Sequence, residues 1–322
     1  MDTYILLQGG AMILTVTMNP SIDTAYHIDH LVIDDVNRVV PEKTAGGKGL
    51  NVSRVLVQLG DEVLATGLLG GHMGEFLADR MTDDHIPNDF TPIAGESRIC
   101  IAVLHDGNQT EFLESGPTVS SEELDAFMAH FSELVEKADC VTISGSLPKG
   151  VPADCYAKMV AVVAKAGKPV LLDTSGASLD AALEAEVKPT LVKPNLTEIN
   201  GLLGTSFTPD DLPALQAALA ADERFSGIPW VVVTMGGAGA VAFHGEKGYR
   251  VVMPNIPAVN ATGSGDSTIA GFAHALARGA GDDEVLRCGN TCGKLNAMDP
   301  KTGHLVIERW DEVYNAVQIT EL

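Results

Sequence analysis

Basic residues are scarce in this chain. Its 322 residues carry 21 Lys and Arg against 43 Asp and Glu, a formal charge of −22. So acidic a protein is excluded as a partner of nucleic acid or of anionic membranes. A small anionic substrate stays open, because a few local cations can dominate one cleft. No apolar run reaches the length of a membrane span, so no membrane partner is expected. Met1 to Met12 lacks the basic n-region of a signal peptide. Residues 1–11 read as a short N-terminal extension, and the chain as cytoplasmic. The five cysteines form no C-x-x-C pair. Cys288 and Cys292, four apart on an expected helix, read as core packing rather than a zinc site. Reduced thiols suit the cytosol. The histidines show no ligand spacing. Finally, the first expected strand is followed by Met18-Asn-Pro-Ser rather than by Gly-x-Gly-x-x-Gly. That excludes a dinucleotide-dependent oxidoreductase.

What is present is an ordinary globular composition, 45% hydrophobic and 20% charged. The length suits one large α/β domain with a smaller appendage. Short β-branched runs predict strands at Ile13–Thr17, Val63–Gly67, Cys140–Ser144, Val170–Asp173, Leu191–Lys193 and Trp230–Thr234. Helix-period segments fall between them at Leu50–Leu59, Ala153–Ala166 and Leu212–Ala221. The alternation predicts a mostly parallel sheet covered on both faces, with ligands at the carboxyl ends of the strands. Residues 24–45 and 97–115 lack helical period. Cys100–His105 and Thr110–Leu113, joined around Asp106-Gly107-Asn108, read as a hairpin. These segments would form a small sheet beside the main domain, either a lid over a cleft or a plain edge hairpin.

Asn260-Ala-Thr-Gly-Ser-Gly-Asp266-Ser is the most informative stretch. Ile269, Phe272, Ala273 and Leu276 follow at i, i+3, i+4 and i+7, and Gly279 is a stop signal, so a helix starts near Gly265. Its first N–H groups lack intrahelical partners and carry partial positive charge. Gly263 and Gly265 allow close backbone approach. A phosphoryl group fits there, with Asp266 placed to take a proton from an attacking hydroxyl.

Other motifs carry two readings each. Ala45-Gly-Gly-Lys48-Gly-Leu-Asn51 precedes a helix and lacks Walker spacing. It is a tight turn, or a cradle bringing N–H, ammonium and carboxamide onto a sugar phosphate. Asn195-Leu-Thr-Glu198 is a capping box, or places Lys193 and Asn195 on nucleotide phosphates with Glu198 near magnesium. Thr234-Met-Gly-Gly-Ala-Gly239 is a glycine-rich hairpin or a nucleotide contact. Asp23 is loop chemistry or a carboxylate for sugar hydroxyls. Arg38 and Arg98 are solvated, or bind phosphate.

Together these pieces resemble the PfkB (ribokinase-like) family of sugar kinases, from about Met12 to the end. The family's two signatures are matched by Gly46-Gly-Lys-Gly-Leu-Asn51 and by the segment ending Gly263-Ser-Gly-Asp266-Ser. Met18-Asn-Pro-Ser-Ile-Asp23 with Val36-Asn-Arg38 is similar to the branch acting on phosphorylated ketohexoses, tagatose-6-phosphate kinase and 1-phosphofructokinase. Arg98 to Pro117, and Leu295-Asn-Ala-Met near Thr302-Gly-His304, resemble the tagatose-6-phosphate kinases most. The resemblance implies a Rossmann-like three-layer α/β/α domain over 12–322, with a small β-sheet lid from about 24–45 and 97–115. It implies Asp266 as base and the N–H groups of Gly263, Ser264 and Gly265 as anion hole. Asp23, Arg38, Gly47, Lys48, Asn51, Arg98 and Ser146 would hold the phosphosugar, with Arg38, Lys48 and Arg98 on its phosphate. Lys193, Asn195, Thr234, Gly236 and Gly239 would hold ATP, with Asn290 and Lys294 flanking the adenine and Glu198 serving Mg2+. The implied activity is ATP-dependent phosphorylation of tagatose 6-phosphate, or of fructose 1-phosphate in a 1-phosphofructokinase. The implied partners are these small molecules and a second copy through the lid. A catalytically silent sugar- or nucleotide-binding regulator is the alternative outside the enzymes. The presence of Asp266 weighs against it.

Overall fold

The structure, a computed structural model, describes residues 11–253 and 255–322. The expected N-terminal extension therefore lies, apart from Ala11, outside the described residues.

The chain opens with β1 (Met12–Thr17), then β2 (Ser21–Ile28), β3 (Glu42–Gly46), α1 (Lys48–Gln58), β4 (Glu62–Gly70) and α2 (Gly71–Asp83). There follow β5 (Thr91–Ile93), β6 (Arg98–His105), β7 (Asn108–Leu113), α3 (Ser121–Val135), β8 (Cys140–Ser144), α4 (Cys155–Lys165) and β9 (Val170–Asp173). Next come α5 (Ala177–Glu184), β10 (Leu191–Val192), α6 (Leu196–Leu203), α7 (Leu212–Ala221), β11 (Trp230–Thr234), β12 (Ala240–His244) and β13 (Lys247–Val252). The chain closes with α8 (Ser264–Leu276), α9 (Asp282–Ala297), α10 (Trp310–Ala316) and β14 (Gln318–Glu321).

The main sheet has ten strands in the order β14-β13-β12-β11-β10-β9-β8-β1-β4-β5. From β11 to β5 neighbouring strands run parallel; β12, β13 and β14 are antiparallel additions. Side chains alternate across a strand, so each strand feeds two cores. Leu14, Val16, Val141, Ile143, Leu172, Val231 and Val233 join one core, with Phe127 and Phe131 of α3 and Tyr156 of α4. Ile13, Cys140, Leu171, Trp230 and Val232 face the other, with Val52 of α1, Phe272 of α8 and Leu286 of α9. This is the expected α/β/α layering, and its cause is the period-two pattern inside each strand. All five cysteines are buried and unpaired, as the packing reading requires.

The two segments without helical period do form a second sheet, ordered β3-β2-β6-β7. Its hairpin turns on Asp106 and Gly107, both at positive φ (49° and 73°), as an Asp-Gly two-residue turn demands. Both strands run longer than their periodicity suggested, from Arg98 and from Asn108. The predicted strand at Leu191–Lys193 stops at Val192, because Pro194 follows Lys193 and cannot donate to a ladder. The helix expected from Leu50 starts at Lys48 instead. Gly47 at φ 109° makes the turn into it.

Candidate active site

Asp266 is the third residue of α8 and is 7% exposed. Gly263 caps that helix at φ 78°, a conformation that favours glycine, and a Cβ there would meet Thr302 Cγ2 at 2.6 Å. The Ser264 N–H is taken by the Ala261 carbonyl at 3.2 Å. Those of Gly263, Gly265 and Asp266 have no hydrogen-bond partner among the described residues. The expected anion hole therefore has its free donors on Gly263 and Gly265 rather than on Ser264. The helix is held in place by small-residue contacts with α9. A Cβ on Gly293 would lie 2.3 Å from Thr268 Oγ1, and one on Gly271 2.5 Å from the Cys288 carbonyl.

Charge converges on this helix start. Lys193 Nζ would be 3.1 Å from a Cβ on Gly265. Asp173, the buried last residue of β9, lies 3.6 Å from Lys48 Nζ and 3.5 Å from Lys193 Nζ through Oδ1. Its Oδ2, and the Ser144 hydroxyl at the end of β8, are buried polar atoms without a partner among the described residues. Asn51 Nδ2 donates to Asp266 Oδ2 at 2.8 Å. Burial, then the charge of Asp173, push the Asp266 carboxyl up to about 6; Lys48, the Asn51 hydrogen bond and Lys193 oppose them. A carboxylate so poised is ionised at neutral pH yet basic enough to take a proton.

Lys48 was expected beside Arg38 and Arg98. Its ammonium instead faces Asp173, which raises its pKa most, and is also influenced by the charge of Asp266. The second cluster is centred on Asp23. Its carboxylate accepts from Ser21 Oγ at 2.6 Å. Burial raises its pKa, while the Ser21 hydrogen bond, Arg98, Arg54 and the Gly47 N–H pull the other way. Arg98 Nε donates to the Asn19 carbonyl at 3.1 Å and Nη1 to the Glu114 carbonyl at 3.0 Å. It thus pins the small sheet to the β1–β2 turn. Arg38 is exposed in the β2–β3 connection and makes no hydrogen bond or ion pair among the described residues. Ser146 is exposed after β8, its carbonyl accepting from Tyr156 OH at 3.4 Å.

Two of the nucleotide candidates meet just beyond Lys193. Asn195 and Thr234 form an isolated parallel bridge, with the Thr234 N–H donating to the Pro194 carbonyl at 3.0 Å. Gly236 (φ 56°) and Gly237 open onto space, where an added Cβ meets nothing within 4 Å. Gly239 is packed tightly, 2.2 Å from the Val251 carbonyl by the same measure. Asn290 and Lys294 lie on α9. The Asn290 carboxamide donates to the Leu286 carbonyl at 2.8 Å, and Lys294 Nζ to that of Ile256.

Asn195 and Glu198 form the capping box that their spacing allows, at 2.9 and 2.8 Å. Among the described residues no three His, Cys, Asp or Glu side chains are grouped to hold a metal ion. A magnesium ion carried on substrate phosphates needs only one or two carboxylates. Glu198 fits that need, since its Oε1 is not used by the cap. Glu198→Gln keeps an acceptor for the Asn195 N–H, so the melting temperature should stay within about 2 °C. The Mg2+ concentration for half-maximal turnover should rise by about threefold or more. An unchanged magnesium titration would leave Glu198 with the cap alone.

Three residues escaped the sequence reading. Asp173 was seen only as the end of a strand. Arg54 belongs to no motif, and Asn296 enters the sequence reading only within Leu295-Asn-Ala-Met. Asn296 is fully buried; it donates to Thr262 O at 2.9 Å and Ser264 Oγ at 3.2 Å and accepts from the Gly303 N–H at 2.8 Å. It ties the α8 entry loop to the 302–304 segment. A carboxylate at a strand's carboxyl end was the signal available for Asp173, as it was used for Asp23.

Comparison with known proteins agrees with the fold. Residues 16–308 match the family model described as pfkB family carbohydrate kinase. A Staphylococcus aureus structure titled "putative phosphofructokinase" is 30% identical, with TM-score 0.81, covering 97% of this chain and 99% of that one. Phosphofructokinase-2 from Escherichia coli in complex with fructose-6-phosphate is 27% identical, with TM-score 0.82, covering 95% and 98%. A Thermotoga maritima structure titled "possible 1-phosphofructokinase" shares the fold at 23% identity and TM-score 0.85, covering 97% and 99%.

Proposed function

The chain belongs to the pfkB family of carbohydrate kinases, and on that premise we propose that it phosphorylates the C1 hydroxyl of D-tagatose 6-phosphate with ATP, giving the 1,6-bisphosphate. The observation that carries a kinase reading is Asp266, buried at the N-terminus of α8 between two lysines and bonded by Asn51.

Asp266 takes the C1 hydroxyl proton as the new C1–O–P bond forms and the bond to the departing ADP breaks. The transfer requires alignment and charge stabilisation more than covalent chemistry. The N–H groups of Gly263 and Gly265 donate to the phosphoryl group in flight, and Lys48 and Lys193 balance its charge. Asp23 accepts from sugar hydroxyls. Arg98 and Arg38 take the 6-phosphate, with Ser146 and Gly47 completing the sugar side. Asn195, Thr234, Gly236 and Gly239 hold ATP, and Asn290 and Lys294 approach its base. When bound, Mg2+ held near Glu198 supplies neutralising charge to the phosphates. Two anions must enter one closed site, which explains basic residues gathered there in so acidic a chain.

The choice of tagatose 6-phosphate rests on the likeness of Arg98 to Pro117, Leu295 to Met298 and Thr302 to His304 to the tagatose-6-phosphate kinases. The phosphofructokinase matches favour a second reading, in which a fructose phosphate is the substrate. Comparing kcat/KM for tagatose 6-phosphate, fructose 6-phosphate, fructose 1-phosphate and unphosphorylated tagatose separates them. Tagatose 6-phosphate should lead by at least about tenfold, and tagatose should trail because it lacks the group that Arg98 and Arg38 bind. A lead by either fructose phosphate would move the assignment to that sugar.

The small sheet also presents apolar side chains to solvent: Phe112 and Leu113 on β7, and Val32, Ile33, Val36 and Val40 in the β2–β3 connection. Such a patch on a lid fits a second copy of the chain. Sedimentation equilibrium at micromolar concentration should give a dimer that Phe112→Glu dissociates. A monomeric parent would remove this partner.

A further inference from the structure

Arg54 lies on α1, one turn past Asn51, and is 4% exposed. An arginine on an amphipathic helix ordinarily keeps its guanidinium in water. Here all three nitrogens are engaged inside the protein. Nε donates to Asp84 Oδ2 at 2.9 Å, Nη2 to the Ala45 carbonyl at 2.7 Å and Nη1 to Asn51 Oδ1 at 3.1 Å. Asp84 follows α2, and Ala45 lies in β3 of the small sheet, next to Gly46. The guanidinium is thereby fixed from two elements outside its own helix. Gly303 closes over it, since a Cβ there would stand 3.0 Å from Nη1.

Guanidinium has donors only, so whatever faces Nη1 must be an acceptor. The Asn51 carboxamide can present either its oxygen or its nitrogen. With the oxygen committed to Arg54, the nitrogen is committed to Asp266, where it donates at 2.8 Å. The flipped amide would set N–H against N–H at Arg54 and oxygen against oxygen at the carboxylate. We infer that Arg54 is a positioning residue for the base: it locks the Asn51 carboxamide in the one orientation that donates to the Asp266 carboxylate and favours its ionised form. Arg54 touches no reacting group, and its effect on Asp266 passes through Asn51, while its charge also acts on Asp23 and is kept by lysine. This inference rests on the kinase reading above.

The test combines kinetics with a readout that needs no turnover. Arg54→Lys keeps the charge but cannot offer three fixed donors. It should lower kcat by about tenfold or more with KM for ATP within about threefold. The acidic limb of the pH–rate profile should move up, because the base loses a donor that favours its ionised form. The charged groups facing Asp266 are Lys48 of α1, Asp173 of β9 and Lys193 after β10, and the substitution leaves all three in place. In an Asn51→Ala background the same change should alter kcat by less than about twofold. A kcat within twofold of the parent, or an equal loss in both backgrounds, would overturn the proposal. Should Arg54→Lys fail to fold, the side-chain amide protons of Asn51 in the parent decide by NMR. A resolved, non-averaging pair that shifts as Asp266 titrates is expected; an averaging pair, or one blind to that titration, overturns it. A parent inactive on every ketose phosphate would end the kinase reading and leave the NMR outcome standing.

Discussion

Asp266→Asn is expected to lower kcat by about 10²–10⁴-fold, with ATP binding in the absence of sugar within about threefold of the parent. The amide keeps the shape and can still meet Asn51, but it cannot take the proton. The parent should show the matching pH behaviour. Its carboxyl sits at about 6, so kcat/KM should fall as pH drops through that value and the base is protonated. The stability consequence has the opposite direction. A folded pKa above the ordinary 3.8 means that ionised Asp266 costs the fold free energy above pH 6. The variant should therefore melt no lower than the parent at pH 7.5, and higher if Asn repacks without strain. Turnover within threefold of the parent would remove Asp266 as the base. A marked fall in melting temperature would mean that the loss of rate reports damage to α8.

Gly46→Ala should cripple sugar binding without touching the nucleotide side. Gly46 has an ordinary φ, so alanine meets no backbone strain there. Its methyl would, however, lie 2.0 Å from Asp23 Cγ and 2.1 and 2.4 Å from the two carboxylate oxygens. One of them must move, and Asp23 gives way only by leaving the Ser21 hydroxyl and the Gly47 N–H that hold it. In the proposed function Asp23 accepts from sugar hydroxyls, and charge-assisted hydrogen bonds of that kind are worth about 1.5–3 kcal/mol each. The KM for the phosphosugar should rise by about 10- to 100-fold, while ATP affinity without sugar stays within about twofold. An unchanged KM would mean that Asp23 is not the group that reads the sugar hydroxyls.

Much of the fold was legible because its strands are fully buried and bounded by turns. Cys140–Ser144, Val170–Asp173 and Trp230–Thr234 match the structure to the residue, as does the helix Leu212–Ala221. The ends of other elements depended on backbone conformation, such as Gly47 at φ 109°, which periodicity does not encode. The candidate site was legible where glycine and a charged residue share a short motif at Gly263 to Asp266; at Gly46 to Lys48 the motif marked the turn but not the partner, since Lys48 faces Asp173. It was illegible where a single polar residue acquires its role only by tertiary burial. Asp173 reads as a strand end until β9 is seen beside Lys48 and Lys193. Arg54 belongs to no motif, and only the fold brings Ala45, Asp84 and Asn51 around it. For Asn195 and Glu198 both sequence readings are compatible with the structure: the capping box forms and leaves Glu198 Oε1 outside it.

The proposed reaction transfers the ATP γ-phosphoryl group to the C1 hydroxyl of a ketohexose 6-phosphate. The most direct test is 31P NMR of the purified protein incubated with ATP, Mg2+ and tagatose 6-phosphate. Loss of the γ-phosphate signal with growth of ADP and a second phosphomonoester signal coupled to the C1 protons is the predicted result. Consumption of ATP with no new sugar ester, or no consumption while both ligands bind, would contradict it.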